Sequence, residues 1–323
     1  MTSIARRIWR LLPLSLRSGL LTRVVGSGLQ AWWSAQARAT LLRREARLGL
    51  VRMGFNRNRE VIVVRCAGGE IAAGLFAEFA TVVGALEFRD RWASETAGLR
   101  VDFADQGLYH AAGRGPNWWE YYFESISIGS DERRVGQPKV SELAQIERDF
   151  LAHRVQGMSR QRASRVVHEY IRPLPCITEA VDAFAKENFS GRSVLGVHYR
   201  GTDKELEAPR VPYERVGNTV RQVMREMGGE GACLFLASDE QAFIEYMRGA
   251  FPGQVRYRDI PRSTDGEPMH LHGRGVDLQG EGALIDCLLL AKAGFVVRTA
   301  SNLGLCAGFF NPDATHVLLN QEY

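Results

Sequence analysis

The chain has 323 residues, 45% of them hydrophobic and 24% charged, with a net charge of +4 at neutral pH. That mixture excludes a small stapled scaffold, a fibrous chain and a disordered one, and it supplies material for one or two globular cores. The five cysteines, Cys66, Cys176, Cys233, Cys287 and Cys306, are widely spaced and form no CxxC, which speaks against a disulfide framework or a zinc knuckle and favours a reducing, cytoplasmic setting.

Charge is unevenly distributed. Residues 1–58 carry eleven Arg, no Lys and a single acid, Glu45, for a net charge of +10, so the remaining residues are net −6. Such an asymmetry points to an anionic surface as partner. Within 4–24, Leu, Ile and Trp9 alternate with Arg6, Arg7, Arg10, Arg17 and Arg23. No apolar run there approaches the roughly 18–20 residues of a spanning helix. Arg10, Pro13 and Arg17 interrupt every stretch that would serve as a secretory signal. Two readings follow: an amphipathic arm lying on an anionic leaflet with Trp32 and Trp33 as interfacial anchors, or a solvated basic helix packed on the body. The basic residues are interleaved with Leu and not with stacking aromatics, so nucleic acid is not the expected partner.

Beyond the arm, VIVVRC (61–66) reads as a buried strand followed by the glycine turn AGGEIAAG (67–74), then a helix to about Glu87 and a strand at LRVDF (99–103). GRGPNWWEYYFE (113–124) is a turn opening into an aromatic segment. A polar, helical pattern runs from Ser130 to Val166 and is broken by IRPLPC (171–176). The C-terminal half alternates: strands at 193–200, 232–239, 255–260, 295–300 and 315–320, with helices at 240–249, 282–294 and 303–310. This alternation predicts βαβ crossovers and a parallel sheet covered on both faces. The expected domains are an arm (1–58), an N-terminal α/β domain (59–185) and a C-terminal one (186–323).

In such sheets ligands sit beyond the C-terminal strand ends. The strand at 193–200 leads into HYRGTDK (198–204), where Arg200 is suited to fork onto a diphosphate and Gly201 allows close approach; pairing of Arg200 with Asp203 is the structural alternative. The strand at 232–239 ends in ASDE, with Ser238 and Asp239 read first as N-caps of the next helix. The strand at 295–300 ends in Thr299 and leads into Ser301 and Asn302 at a helix N-terminus, an arrangement that suits an anion. Asp286 stands alone in the apolar run ALIDCLLLAKA, where a carboxylate needs a partner.

HYRGTDK (198–204), LFLASDE (234–240) and ALIDCLLLAKAGFVVRTASN (283–302), in this order and spacing, resemble the three C-terminal motifs of the GDP-fucose-dependent fucosyltransferase superfamily. The resemblance spans roughly residues 190–310 and implies a GT-B-like α/β fold of two Rossmann-like domains, with the nucleotide sugar held by the C-terminal one. It implies that Arg200 contacts the donor's β-phosphate, that His198 and Asp286 recognise the guanosine, that Ser301 and Asn302 lie beside the phosphates with Gly201, Ser238, Asp239 and Thr299 on the donor side, and that Asp203 and Lys204 hold structural and substrate-side positions. In α-1,6 enzymes a second arginine stands where this chain has Gly201, and RCAGGE (65–70) matches the N-terminal glycine loop only loosely.

The implied activity is inverting, metal-independent fucosyl transfer from GDP-fucose to a glycan or glycolipid hydroxyl, with no cofactor. The absence of any DxD triplet agrees with a metal-free enzyme. Lys204, Glu207 or Glu120 would manage the acceptor proton. Trp118, Trp119, Glu120 and Tyr121 form a candidate acceptor patch, with core packing as the competing role for the rings. His270 and His272, near Asp265 and Glu267, fall short of a convincing metal site; their glycine-flanked loop (273–282) is expected to close over the nucleotide. The alternative function is a membrane-associated nucleotide-sugar or glycan-binding protein without turnover. An NAD-dependent oxidoreductase ranks last because GxGxxG is absent.

Overall fold

The computed structural model describes residues 61–66, 74–92, 98–103, 107–111, 113–129, 158–201, 208–227, 231–264 and 275–320. The arm and the histidine loop lie outside them, and the described residues all belong to one compact unit, Arg52–Tyr323.

The N-terminal part of this unit builds a small sheet. Strand β1 (Val61–Val64) leads to helix α1 (Leu75–Trp92), and β2 (Gly98–Val101) returns parallel to β1. A two-residue strand, β3 (Ser127–Ile128), then pairs antiparallel to β2, an addition that the sequence reading did not contain. Between β2 and β3 the aromatic segment forms a single 3-10 turn, Trp118–Tyr121. Its rings are the core of this region: Trp119 stacks on Phe123 with centroids 4.3 Å apart, and Phe103 lies 4.7 Å from Trp118.

Helices α2 (Arg160–Tyr170) and α3 (Pro175–Asn188) lead to the larger sheet. Ser159 caps α2 by accepting the Arg162 amide, and Pro175 occupies the first turn of α3, where a missing N–H is harmless.

The larger sheet follows: β4 (Val194–Tyr199), α4 (Tyr213–Glu226), β5 (Cys233–Ser238), α5 (Gln241–Ala250), β6 (Val255–Tyr257), α6 (Val276–Ala291), β7 (Phe295–Arg298), α7 (Asn302–Phe310) and β8 (Thr315–Leu318). All five strands are parallel, in the order β6-β5-β4-β7-β8. Side chains alternate along β4, as the pleat requires. Leu195, Val197 and Tyr199 join the core formed with Val216, Val220 and Val223 of α4 and Phe243, Ile244 and Met247 of α5. Gly196 faces the other way, where a Cβ would meet Leu290 Cδ2 of α6 at 3.0 Å. The sheet is therefore covered on both faces, as the alternating pattern predicts.

Besides β3 and α3, neither of which the sequence reading contained, three elements differ from it. Helix α4 was not foreseen, although Val216, Val220, Val223 and Met224 mark its buried stripe. Strand β6 stops at Tyr257. Helix α6 begins at Val276 after a left-handed Gly275 (φ 67°), so residues expected in a closing loop are helical up to Gly282. A glycine is tolerated at 280 because Tyr122 Oη and the Tyr109 ring occupy the space its Cβ would fill.

The two parts meet on α6 and α7. Tyr122 Oη donates to the Asp277 carbonyl (2.9 Å), Arg114 pairs with the Asp277 carboxylate (2.8 Å), and Phe79 of α1 lies 5.5 Å from Phe310 of α7. Among the described residues no helix is long and apolar enough to cross a membrane.

Candidate functional site

Strand order reverses between β4 and β7, the switch point at which open parallel sheets hold ligands. The two strands are laced together just past their ladder. Thr299 donates its amide to the His198 carbonyl (3.1 Å), and the Thr299 hydroxyl accepts the Arg200 amide (2.9 Å). Sequence reasoning named His198, Arg200, Thr299, Ser301 and Asn302, and the fold brings these five together.

Arg200 is held from the other side by the end of β5. Its Nε lies 3.1 Å from Asp239 Oδ2, while Asp239 Oδ1 accepts the Gly201 amide at 3.2 Å. This corrects the N-cap reading. The cap position of α5 is Glu240, with no side-chain cap bond. Ser238 Oγ accepts the Glu240 amide at 3.2 Å, and Asp239 turns to Arg200.

Gly201 has a local cause. Its missing Cβ is replaced by the buried Glu240 carboxyl group, which a side chain at 201 would overlap. Glu240 in turn accepts Arg210 Nη2 at 3.0 and 3.2 Å and the Tyr213 hydroxyl at 2.5 Å. Where the resemblance leads one to expect a second arginine, this chain therefore places a carboxylate with Arg210 upon it, a network that the sequence reading missed.

Helix α7 opens directly beyond β7. Ser301 caps it by accepting the Leu303 amide (3.2 Å), so hydroxyl and helix N-terminus sit beside the β4 end. Beneath it lies His198, 4% exposed, with Nδ1 unpartnered among the described residues and close packed against Gly304. Burial, reinforced by Arg298 and Arg200, pushes the imidazole down to about 3 and keeps it neutral.

Asp286 is buried on α6 at 5% exposure. It does have a partner, Arg258, whose Nη1 lies 3.4 Å from Oδ1. Burial nevertheless dominates and raises the carboxyl to about 6, against the pull of Arg258 and Arg262. From the N-terminal side, Tyr109 reaches the same region. Its hydroxyl accepts the Leu75 amide at the start of α1 (2.9 Å), and Arg200 is among the charges acting on it. No motif flagged Tyr109, since nothing in its local sequence separates it from any other core tyrosine.

The acceptor patch is not an open surface. Trp118, Trp119 and Tyr121 are at most 4% exposed, so these rings serve the core; only Glu120 is exposed, accepting Asn117 Nδ2 at 2.9 Å. Asp203, Lys204 and Glu207 lie outside the described residues, as do His270 and His272. Among the described residues no three His, Cys, Asp or Glu side chains gather into a cluster able to hold a metal ion.

No family model matches the chain. It is 24% identical over 198 residues to nodulation protein Z of Bradyrhizobium diazoefficiens, covering 57% of this chain and 53% of that protein, and 24% identical over 198 residues to nodulation protein Z of Sinorhizobium fredii, covering 57% and 61%. In structure it matches the NodZ α-1,6-fucosyltransferase soaked with GDP-fucose with a TM-score of 0.54 at 18% identity, over 82% of this chain and 99% of that one. The chain thus resembles the GDP-fucose-dependent fucosyltransferase superfamily in both sequence and fold. It spans somewhat more than half the length of these two curated relatives. The GT-B-like α/β class expected from the motifs agrees with this likeness and with the five-stranded parallel sheet.

Proposed function

We propose that this chain is an inverting, metal-independent glycosyltransferase that moves fucose from GDP-fucose to a hydroxyl of a glycan or glycolipid. The observation that carries the reading is the Arg200 clamp: a guanidinium held by Asp239, on a backbone whose amide Thr299 fixes at the switch point, beside the capped N-terminus of α7. A departing nucleoside diphosphate develops negative charge on its β-phosphate, and a prepositioned arginine with helix amides answers that charge without rearrangement. The fold shared with a fucosyltransferase and the buried, ionisable Asp286, suited to the N–H edge of guanine, support the donor assignment. His198, neutral and buried, shapes the same pocket from beneath.

In this reading the acceptor hydroxyl attacks the anomeric carbon opposite to the leaving group, and its proton passes to Lys204, Glu207 or Glu120. Gly201 lies just past β4 on the donor side, where the resemblance also assigns Asp203 its role. The Arg-rich residues 1–58 would hold the enzyme to an anionic cytoplasmic leaflet, as salt-sensitive cosedimentation of the full chain with phosphatidylglycerol vesicles would reveal.

The test is turnover with GDP-fucose across a panel of oligosaccharide and glycolipid acceptors, following GDP release and the mass of one added deoxyhexose, with and without EDTA. Transfer that survives EDTA and yields the inverted anomer supports the proposal. Tight GDP-fucose binding without transfer to any acceptor would instead make the chain a nucleotide-sugar-binding protein.

A further inference from the structure

Asp286 is gripped in an unusual way. The Arg258 contact to Oδ1, at 3.4 Å, is at the outer limit of a hydrogen bond, and it is the carboxylate's only one among the described residues. The same Arg258 Nη1 makes a much better bond, 2.8 Å, to the Gly282 carbonyl one turn earlier on α6. The guanidinium is thus anchored to the helix backbone and leans on one edge of the carboxylate, in place of the bidentate fork that an arginine forms with a carboxylate when the ion pair is an end in itself.

Arg258 is itself locked. Arg262 donates Nη2 to the Arg258 carbonyl (2.6 Å), Nη1 to the Ile260 carbonyl (3.0 Å) and Nε to the Ser238 carbonyl at the end of β5 (3.2 Å). One guanidinium winds residues 258–262 around itself and ties them to the sheet, and the second projects from that turn to α6. This is a rigid support for a carboxylate that accepts no other hydrogen bond among the described residues.

We propose that Arg258 is a positioning residue, aiming Asp286 at a base with two adjacent N–H donors and so setting selectivity for 2-amino-6-oxopurine nucleotides. The inference rests on the GDP-sugar reading above. A 2-amino-6-oxopurine presents a ring N–H and an amino group side by side to one carboxylate. Hypoxanthine keeps only the ring N–H, and adenine offers an acceptor at that ring position. The charged groups facing Asp286 are Arg258 and Arg262, which oppose the upward push of burial.

The experiment is calorimetric titration of GDP, IDP and ADP into the full chain, its Arg258→Met variant and its Arg258→Lys variant, from pH 5.5 to 8. The wild type should bind GDP about tenfold more tightly than IDP, the loss expected for one hydrogen bond to a charged group, and should ignore ADP. In Arg258→Met the GDP-to-IDP ratio should fall below about threefold, and the rise of GDP affinity with pH should move upward as Asp286 loses a cation. Arg258→Lys should restore the pH profile through its charge but not the ratio, because an ammonium cannot bridge Gly282 and Asp286 with a planar fork. If Arg258→Met fails to fold, Arg258→Lys decides alone. A wild-type ratio in either folded variant overturns the inference. A wild type that binds no guanine nucleotide overturns the GDP-sugar reading itself, whereas a GDP-binding wild type with indifferent variants removes only the role of Arg258.

Discussion

Asp239 holds Arg200 at two points: one carboxylate oxygen lies 3.1 Å from the guanidinium Nε, and the other accepts the amide of the next residue, Gly201, at 3.2 Å. Side chain and backbone of the β4 terminus are thereby fixed by one acid from β5. Asp239→Asn preserves the shape and removes the charge. A hydrogen bond to a charged group is worth about 1.5–3 kcal/mol, so GDP affinity should drop about ten- to a hundredfold while the fold persists, as calorimetry together with a circular dichroism spectrum would establish. Unchanged affinity would mean that Arg200 does not depend on this clamp.

Gly201 and Glu240 occupy one space. Gly201→Ala should destabilise by about 1–3 kcal/mol, the usual cost of overpacking. Glu240→Ala removes the obstruction but strands Arg210 and Tyr213, which both donate to that carboxylate. The double variant should therefore be less destabilised than the sum of the two, measured as a coupling in thermal or urea unfolding. Simple additivity would show that the two positions do not meet.

Asp286 and His198 act on stability in opposite directions as pH changes. The Asp286 carboxyl is raised from 3.8 to about 6, so between those values the folded state holds a proton that the unfolded chain has released, and stability falls as pH rises. Asp286→Asn abolishes that slope; relative to it, the wild type should lose roughly 2 kcal/mol between pH 4 and 6, at up to 1.36 kcal/mol per unit. His198, lowered from 6.5 to about 3, makes the unfolded state bind the extra proton, so its contribution falls as pH drops below 6.5. Urea midpoints of Asp286→Asn and His198→Gln across pH 4–7 separate the two; slopes unaltered by either variant would contradict both assignments.

The rings of the aromatic segment predict a stability phenotype. Trp119 is fully buried against Phe123, Phe79 and Phe103, so Trp119→Ala should cost about 3–5 kcal/mol and act through unfolding, with no acceptor-specific change in KM. Glu120→Ala, on an exposed carboxylate, should change stability by less than about 0.5 kcal/mol. A rise in acceptor KM in Glu120→Ala alone would support its place beside the acceptor; a stable Trp119→Ala with altered acceptor preference would reinstate the ring patch.

The alternation of β-branched runs with helical stretches made the five-stranded sheet legible, and the rule about strand ends pointed to His198, Arg200, Thr299 and Ser301, which the fold gathers where β4 and β7 end. Asp286 was legible as a misfit in an apolar helix. What escaped was long-range or ambiguous in chemistry. That Asp239 serves Arg200 instead of capping α5, and that Glu240 fills the space over Gly201, depend on β4 and β5 lying side by side, which local sequence does not state. Buried core and sugar platform call for the same aromatic residues, so WWEYYF could not declare its role. Gly280 looked like a loop residue because glycine is a poor helix former, and its reason for being in α6 is the pair Tyr109 and Tyr122 from a distant segment. Helix α4 carries its buried stripe, Val216, Val220, Val223 and Met224, openly in the local sequence.

The central claim is that Arg200 is the fixed cation of a GDP-sugar site. Calorimetric titration of the wild type and Arg200→Ala with GDP, GDP-fucose, GDP-mannose, UDP and NAD tests it most directly. The account predicts binding of GDP and GDP-fucose that collapses at least tenfold in the variant, with UDP and NAD silent. A folded wild type that binds no guanine nucleotide, or an Arg200→Ala variant that binds GDP as tightly as the wild type, would contradict it.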